Sequence, residues 1–291
     1  MLKTNKIEIP EKFLLGQEWI YIKIYSGQIT LDKFLCTELL EMVYEISHNK
    51  LIDKFFFIRY KDPEYHIRLR FHLTAQQHLN KVMDKINRII SSKVTDKVFW
   101  KVAIEPYERE MDRYGRYSIN LVEQIFHNDS VNCLEVIKNQ NFNIRWLFSI
   151  EICDFFFNNF NFNIEQKILF CRKTIVSFQE DYQLDKSTKI ALDIKYRKYE
   201  SDITKALTSP ESLLIENYAK NIKEPCFKLN GLIDFYDKGS RASILASIIH
   251  MHFNRLLISD QRIKEFIIYY FMEKAYSSIS ARKKIHERQT I

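Results

Sequence analysis

The chain has 291 residues, of which 46% are apolar and 28% are charged, a composition that excludes an intrinsically disordered protein and leaves ample material for a core. Only five glycines and five prolines occur, with no GxGxxG and no Walker-type sequence, which argues against a glycine-rich phosphate loop. Lysine and arginine outnumber aspartate and glutamate by 44 to 37, and the net charge of +7 is compatible with nucleic acid, an anionic membrane or an acidic peptide without selecting one of them.

The first part of the chain predicts a mostly antiparallel sheet with two helices. Aromatic and β-branched residues between turn residues predict four strands: Trp19–Tyr25, Phe55–Tyr60, His66–Leu73 and Val98–Glu105. Apolar residues at helical spacing predict one helix from the N-cap Thr30 to about Ser47 and another, capped by Thr74, over Ala75–Ser92. Strand, helix, hairpin, helix, strand is the order of an α+β fold.

From Ser118 onward the pattern is almost wholly helical. The predicted helices are Ser118–His127, Ser130–Lys138, Ile144–Asn158, Ile164–Tyr182, Lys186–Leu207, Ser212–Ile222, Ser240–Ile258 and Gln261–Ser280. Three loops are the best candidates for boundaries, although none is a long Ser/Gly/Pro linker: Gln183–Asp185, Thr208–Pro210 and Lys223–Gly239. We therefore predict an α+β fold in a single domain over residues 1–291, sheet-bearing at 1–117 and largely helical at 118–291.

The strand His66–Leu73 carries the first group of candidate site residues. Apolar residues occupy every second position, and the positions between them carry four cationic or ionisable side chains: His66, Arg68, Arg70 and His72. Successive side chains of a strand point to opposite faces, so these four share one face. That face is either a solvated outer surface or an anion-binding wall, in which two arginines clamp carboxylates in bidentate fashion.

The charge-dense segment Glu105–Tyr117 follows a predicted strand. Its residues Glu110 and Arg113 are three apart and share a face if the segment turns helically, with Gly115 placed to end that turn. Taken alone, such a segment is usually a solvated loop.

The penultimate predicted helix contains the third candidate group. Ser247, His250 and Asn254 fall on one helical face. A histidine with an amide one turn away can serve as an oriented acid or base, but a lone histidine on such a helix is more often a partly buried structural residue.

Metal sites, cofactors and membrane segments are not expected. The close histidine pairs, His66 with His72 and His250 with His252, do not have the spacing of a common zinc site on the predicted elements. The five widely spaced cysteines form no CxxC and are expected to be reduced thiols. The N-terminal residues lack the apolar core of a signal peptide, so we expect a cytoplasmic protein.

Taken together, the three segments resemble a known family. HIRLRFH, YEREMDRYG about 40 residues later and HMHFNRL near the C-terminus are similar to the C-terminal domain of lantibiotic dehydratases, also called the thiopeptide-type bacteriocin biosynthesis domain. The resemblance covers essentially the whole chain, including FFIRYKDP before the first motif and EQIFHNDS after the second. Each motif alone is weak evidence for the family, and the resemblance rests on finding all three in the same order and spacing.

The resemblance implies an elimination reaction. In that family a separate domain takes glutamate from glutamyl-tRNA and glutamylates Ser or Thr of a precursor peptide, and the C-terminal domain then eliminates glutamate to leave dehydroalanine or dehydrobutyrine. Arg70 (or its neighbour Arg68), Arg113 and His250 match the elimination residues, with Glu110 in support. We expect further substrate contacts from Arg59, His66, Arg68, Tyr114 and Asn254. The family commonly has a second glycine after Gly115, where this chain has Arg116, and the difference puts the loop conformation and substrate entry in question.

Two alternatives remain open. Pyridine synthases of the same fold join two dehydroalanines by a formal 4+2 cycloaddition and expel the leader peptide, but they tend to lose the elimination Arg/Glu/His set. A non-catalytic subunit that binds a leader peptide needs no such set. The expected partners are a precursor peptide with its leader and glutamylated core, a separate glutamylating protein, because this chain lacks that portion of the family, and a second copy in a homodimer. Direct binding to nucleic acid is not expected.

Overall fold

The computed structural model describes residues 9–139, 145–182, 185–209, 213–236 and 241–289, and its fold is α+β as predicted. The strands are β1 Lys12–Phe13, β2 Trp19–Tyr25, β3 Ile52–Lys61, β4 Tyr65–Leu73, β5 Lys101–Glu105 and β6 Tyr107–Glu108. The helices among them are α1 Gln28–Phe34, α2 Leu40–His48 after a π-helical turn at Leu35–Leu39, α3 Leu79–Thr95 after a 3-10 turn at Gln76–His78, and α4 Met111–Tyr114. The helical part contains α5 Ile119–Asn139, α6 Arg145–Asn159, α7 Ile164–Tyr182, α8 Lys186–Thr208, α9 Leu213–Tyr236, α10 Arg241–Leu256 and α11 Gln261–Gln289.

Four strands form an antiparallel sheet in the order β3-β4-β2-β5, while β1 and β6 pair separately. The register sets Arg70 of β4 opposite Tyr21 of β2 and Phe56 of β3. Directly opposite residues project to the same face of a sheet. These rings and the candidate arginines therefore share one face.

Helices cover the opposite face of the sheet. There the apolar half of β4, including Ile67, Leu69 and Phe71, is buried, and α1, α2, α5 and α10 contact the strands. Burying this continuous apolar surface supplies the main driving force for docking the helical part on the sheet. The helices therefore cover one side of β4, while on the other side the polar residues of β4 lie among buried aromatic rings such as Trp19 and Tyr21.

Side chains of the helical part form hydrogen bonds with the outer edge of β3. Three backbone N–H groups of β3 donate to α5 and α10: Phe55 to His127 Nδ1 at 3.0 Å, Phe57 to Ser130 Oγ at 3.3 Å and Arg59 to Asn254 Oδ1 at 2.8 Å. Asn254 Nδ2 also donates to the Arg59 carbonyl at 2.7 Å, so its amide acts like a residue of a neighbouring strand.

Several predicted boundaries are wrong. Residues 118–138 contain one helix, α5, rather than two, and the predicted loop at Lys223–Gly239 is helical as far as Tyr236. Pro225 lies inside α9, where burial of Ile222, Cys226, Leu229 and Ile233 at helical spacing outweighs the local helix-breaking tendency. β5 begins at Lys101 rather than Val98. Thr30 and Thr74 are not helix caps, because α1 begins at Gln28 and a 3-10 turn precedes α3.

Some predicted boundaries lie outside the described residues: the helix starts at Ile144, Ser212 and Ser240, and the loop positions 183–184, 210 and 237–239. Asp185 accepts a hydrogen bond from Thr188 N at 2.8 Å and caps α8, which begins at Lys186 as predicted. Among the helices that the structure describes, none has the length and apolarity needed to cross a membrane.

Candidate functional site

Arg70 occupies a buried cage of aromatic rings on the candidate face of the sheet. Its guanidinium carbon lies 4.5 Å from the ring centroid of Tyr21 and 5.1 Å from those of Phe56 and Tyr107. The residue is only 8% exposed, and within the described residues it forms no ion pair and its Nε has no hydrogen-bond partner. Burial lowers the pKa of Arg70, and nearby groups that include the Glu110 carboxylate oppose this effect. A buried cation without a counterion is suited to binding an anionic ligand.

Arg68 is held in place by two aromatic neighbours on the same face. Its guanidinium lies 3.5 Å from the centroid of Tyr60, and its Nε donates to His66 Nε2 at 3.1 Å. His66 Nδ1 lies 2.9 Å from the Glu64 carbonyl, so the neutral ring donates from Nδ1 and accepts at Nε2. Burial lowers the pKa of His66, which favours this neutral form. Among the described residues, the hydrogen bond of Arg68 is made by its Nε and not by its terminal nitrogens.

The segment after β5 is anchored by a buried ion pair. Arg109 donates from Nε and Nη2 to the two carboxylate oxygens of Glu123 at 2.8 and 2.7 Å, and Tyr107 donates to the same carboxylate at 3.0 Å. A bidentate pair fixes both distance and orientation. The charge-dense segment is thus a structured connection whose Tyr107 and Arg109 are buried, and the expectation of a solvated loop is wrong for these residues.

Glu110 and Arg113 form the exposed half of the same segment. Arg113 Nη1 lies 3.0 Å from Glu110 Oε2, and about half of each side chain is solvent-exposed. Between them the chain makes the single turn of α4, which Gly115 ends with φ +78°, as predicted. Tyr114 points inward and packs edge-on against Phe126, and burial raises its pKa to about 12.

Arg113 and His250 line one pocket of about 320 Å³ between α4, α7, α10 and α11. His250 Nδ1 lies 2.8 Å from Glu265 Oε2, and Glu265 is almost fully buried. With Nδ1–H donated to the carboxylate, Nε2 carries the lone pair that a base needs. Glu265 was missed by the sequence reasoning, because it lies on a different helix and belongs to none of the three motifs. Its one sequence signal is an acidic residue within the apolar run of α11.

The structure does not bring all the predicted site residues together. Arg59 projects to the helix-covered face, where its Nη2 lies 2.5 Å from Asp32 Oδ1 and its Nε donates to the Arg255 carbonyl. Asn254 uses its amide to bond the β3 backbone. Tyr114 and His66 are 2% and 1% exposed. These four side chains are thus bonded within the chain or buried, and their contact with a substrate stays a prediction.

A second cluster of ionisable groups lies in the core. Asp129 accepts from His252 Nδ1 at 2.7 Å, Tyr218 Oη at 2.9 Å and Arg255 Nη1 at 2.7 Å, and Cys133 Sγ lies 3.8 Å away. Asp129, Cys133 and His252 are ligand types that metals use. Because Arg255 already balances the carboxylate and burial raises the pKa of the Cys133 thiol, we interpret this cluster as a structural hydrogen-bond network.

Another cavity lies apart from the predicted site residues. It has a volume of about 660 Å³, lies between α6, α8 and α11, and is lined by aromatic and aliphatic side chains such as Trp146, Tyr199 and Phe271. None of the nine residues predicted from the sequence lines it.

Comparison with proteins of known sequence gives consistent results. The chain is 28% identical over 275 residues to the subtilin biosynthesis protein SpaB of Bacillus subtilis, covering 91% of this chain and 26% of that protein. It is 27% identical over 292 residues to the nisin biosynthesis protein NisB of Lactococcus lactis subsp. lactis, covering 95% and 27%. The chain thus spans about a quarter of the length of these curated relatives.

Solved structures share the fold. The tRNA-dependent lantibiotic dehydratase MibB of Microbispora sp. 107891 superposes with a TM-score of 0.71 at 15% identity, covering 92% of this chain and 29% of that one. The pyridine synthase TbtD from thiomuracin biosynthesis gives a TM-score of 0.64 at 10% identity, covering 90% and 99%. Residues 19–276 match the family described as Lantibiotic biosynthesis dehydratase C-term, and the chain therefore belongs to that family.

Proposed function

We propose that this domain eliminates glutamate from glutamylated Ser or Thr residues of a ribosomal precursor peptide, leaving dehydroalanine or dehydrobutyrine. The observation that carries the proposal is Arg70, a buried guanidinium caged by aromatic rings and without a carboxylate counterion among the described residues. A glutamyl group brings the carboxylate that such a site lacks. Arg68, fixed by His66 and Tyr60 on the same face, adds a second cationic group.

The reaction balances without a further reagent. A base removes the α-proton of the glutamylated residue, and the electron pair left behind forms the carbon–carbon double bond. The bond from the β-carbon to the ester oxygen breaks, and glutamate leaves with that oxygen and the bonding electrons. The site must therefore accept one proton and stabilise negative charge at two points, the enolate-like amide and the departing carboxylate.

The pocket residues suit these tasks. His250, oriented by Glu265, transfers the proton either as the base at the α-carbon or as the acid to the leaving group. Arg113 lines the same pocket and offsets developing negative charge, while Glu110 holds the Arg113 guanidinium at 3.0 Å. Neither a metal nor a cofactor enters this scheme. The proposed partners are the glutamylated precursor peptide and the tRNA-dependent glutamylating activity that supplies it.

The test is mass spectrometry of a synthetic peptide with one glutamylated serine, incubated with this protein alone. Loss of the glutamyl group together with the serine oxygen, abolished in Arg70→Ala and His250→Ala, is the expected result. A matched control is His252→Gln, which alters the buried network but no pocket residue.

One alternative has an observation in its favour, the fold shared with TbtD over 99% of the length of that chain. Turnover of a bis-dehydroalanine peptide, with none of the glutamylated one, would replace elimination by cycloaddition. Binding of the cognate peptide without turnover of either substrate would identify a leader-binding subunit.

A further inference from the structure

The cavity between α6, α8 and α11 is lined by none of the residues that the proposed elimination reaction uses. Its volume of about 660 Å³ lies within the range of roughly 300–1,000 Å³ that is typical of small-molecule sites. Much of its wall is apolar and buried: Leu256, Leu257, Ile258, Ile268 and Phe271. A space of this size with such walls can take a hydrocarbon or aromatic group.

Three aromatic rings from three helices line the cavity. Trp146 of α6 lies edge-on to Tyr199 of α8, with ring centroids 5.3 Å apart, and edge-on to Phe271 of α11 at 6.0 Å. Trp146 and Tyr199 are only partly buried, so both rings keep surface that their neighbours do not cover. Such rings gain contact area when an apolar group enters the cavity.

The charged side chains of the cavity favour a ligand with one negative charge. Arg145 lines the cavity, but its Nη1 is bound to the Asp32 carboxylate at 3.1 Å. The other charged groups in the lining are two cations and one anion: Lys195, Lys264 and Asp202. A single carboxylate matches this excess of one positive charge, whereas a dianion exceeds it.

Lys264 is the group best placed to bind that carboxylate. Its side chain is partly buried, and its Nζ donates to Ser259 Oγ at 3.2 Å without an ion pair to any residue that the structure describes. Burial lowers the pKa of Lys264, and the Asp260 carboxylate opposes this effect. Lys195 is exposed and lies at the rim of the cavity. A partly buried ammonium beside apolar walls suits an anion that carries its own apolar group.

We propose that this cavity binds a small amphipathic carboxylate, with its apolar body against Trp146 and Phe271 and its carboxylate at Lys264 and Lys195. The site is distinct from the His250 pocket, since Lys264 and Glu265 are consecutive residues of α11 that line different pockets. The proposal therefore does not depend on the reaction proposed above.

Calorimetric titration of the full chain with decanoate is the first test. Decanoate should bind at least about ten-fold more tightly than decyltrimethylammonium, which has the same body and the opposite charge. Acetate has the carboxylate without the body and should not bind at the same concentrations. Equal affinities of decanoate and decyltrimethylammonium, or no binding of decanoate, would overturn the proposal.

Lysine substitutions test the position of the carboxylate. Lys264→Met should weaken decanoate binding by about ten-fold, the effect of losing a hydrogen bond to a charged group. Lys195→Met should weaken it by about three-fold, because exposed ion pairs contribute less. Lys189→Met changes an exposed lysine of α8 outside the lining and is the matched control, with unchanged affinity. Circular dichroism checks that each variant is folded.

A further variant tests the competing pocket. Arg113→Met removes a cation from the His250 pocket and should leave the affinity for decanoate unchanged. A loss of affinity in Arg113→Met, with none in Lys264→Met, would place decanoate in the His250 pocket and overturn the proposal.

Tryptophan fluorescence tests the position of the apolar body. Trp146 lines the cavity, whereas Trp19 belongs to β2 and Trp100 directly precedes β5. Decanoate should shift the emission maximum of the wild type to shorter wavelength, because its hydrocarbon chain replaces water beside the indole. The shift should be absent in Trp146→Phe, in which calorimetry still detects binding. A shift that persisted in Trp146→Phe would place the ligand outside this cavity and overturn the proposal.

Discussion

The two faces of the four-stranded sheet hold arginines in opposite electrostatic settings. On the helix-covered face, Arg59 pairs with Asp32 at 2.5 Å and Arg255 with Asp129 at 2.7 Å. On the other face, Arg70 is equally buried but lies among aromatic rings, with no ion pair to any described residue. The residue type and the degree of burial are the same, and the counterion is what differs.

This difference separates arginines whose charge is balanced within the fold from one whose charge is not. A buried cation with a carboxylate partner is costly to disturb, because removing one member leaves the other charged and desolvated. A buried cation without a partner is costly to keep, and it persists where a ligand supplies the missing charge. Each of the following predictions tests one side of this comparison.

The largest expected effect is on stability, at the paired face. Asp129→Ala leaves Arg255 buried without its carboxylate and should lower the free energy of unfolding by about 3–5 kcal/mol. Urea unfolding followed by circular dichroism measures it. Glu45→Ala breaks an exposed pair with Lys85 and should cost about 0–1 kcal/mol. Equal losses of unfolding free energy in Asp129→Ala and Glu45→Ala would mean that the buried pair stabilises the fold no more than the exposed pair.

At the unpaired face we expect lost activity with little change in stability. Arg70→Met keeps most of the side-chain volume but removes the cation, and it should slow elimination from the glutamylated peptide by about 10²–10³. Its unfolding free energy should be unchanged or higher, because a buried unpaired charge is gone. Arg59→Met is the matched variant, with reduced stability and a normal rate for the folded fraction. If Arg70→Met were as destabilised as Arg59→Met, the Arg70 cation would stabilise the fold as much as the paired Arg59 does.

Glu265 should act through His250, as a positioning residue. Glu265→Gln keeps the shape but not the charge, and misplacement of the imidazole should lower kcat by about 10² with little change in KM. Glu265→Asp retains the carboxylate and should recover part of the rate. A loss confined to KM, or no recovery with aspartate, would assign Glu265 to packing alone.

The smallest predicted effect is the acid dependence of stability at the paired face. Burial alone would raise the pKa of Asp129, but the contacts with His252 and Arg255 outweigh it and lower the pKa to about 2. Because the pKa is lower in the folded state than in the unfolded chain, the contribution is fully present above about pH 4 and is lost as the pH falls to about 2. Asp129→Asn should lack this contribution. Between about pH 4 and pH 2, its free energy of unfolding should fall by about 2 kcal/mol less than that of the wild type, as measured in unfolding titrations. If the free energy of unfolding depended on pH identically in the variant and the wild type, carboxylates other than Asp129 would be responsible for the loss of stability in acid.

The faces of the sheet could be predicted from the sequence, but their environments could not. The alternation in β4 places Arg68 and Arg70 on one face because the strand period is two residues. Whether that face meets water depends on Tyr21, Phe56 and Tyr107, which come from three other strands. The choice between a solvated surface and an anion-binding wall therefore needed the fold.

Contacts between distant helices were the least predictable part of the site. His250 could be singled out from its motif, but its partner lies fifteen residues further on, across the turn between α10 and α11. Helical periodicity instead suggested Asn254, which shares a helix with His250 but bonds β3. The loop predicted at Lys223–Gly239 is instead helical as far as Tyr236, because this stretch packs against α5, and such a contact is not visible in a local sequence pattern.

The amide of Asn254 also bears on how this protein behaves when it is damaged. β3 is an edge strand, and an edge with free N–H and C=O groups is a template for intermolecular strand pairing and aggregation. His127, Ser130 and Asn254 together occupy that edge with hydrogen bonds. Replacing Asn254 by alanine would leave the Arg59 N–H and C=O on that edge without these bonds, and we expect part of the variant to be recovered in inclusion bodies or as oligomers. Inactivity measured on such material would reflect precipitation of the protein and not a defect in its chemistry.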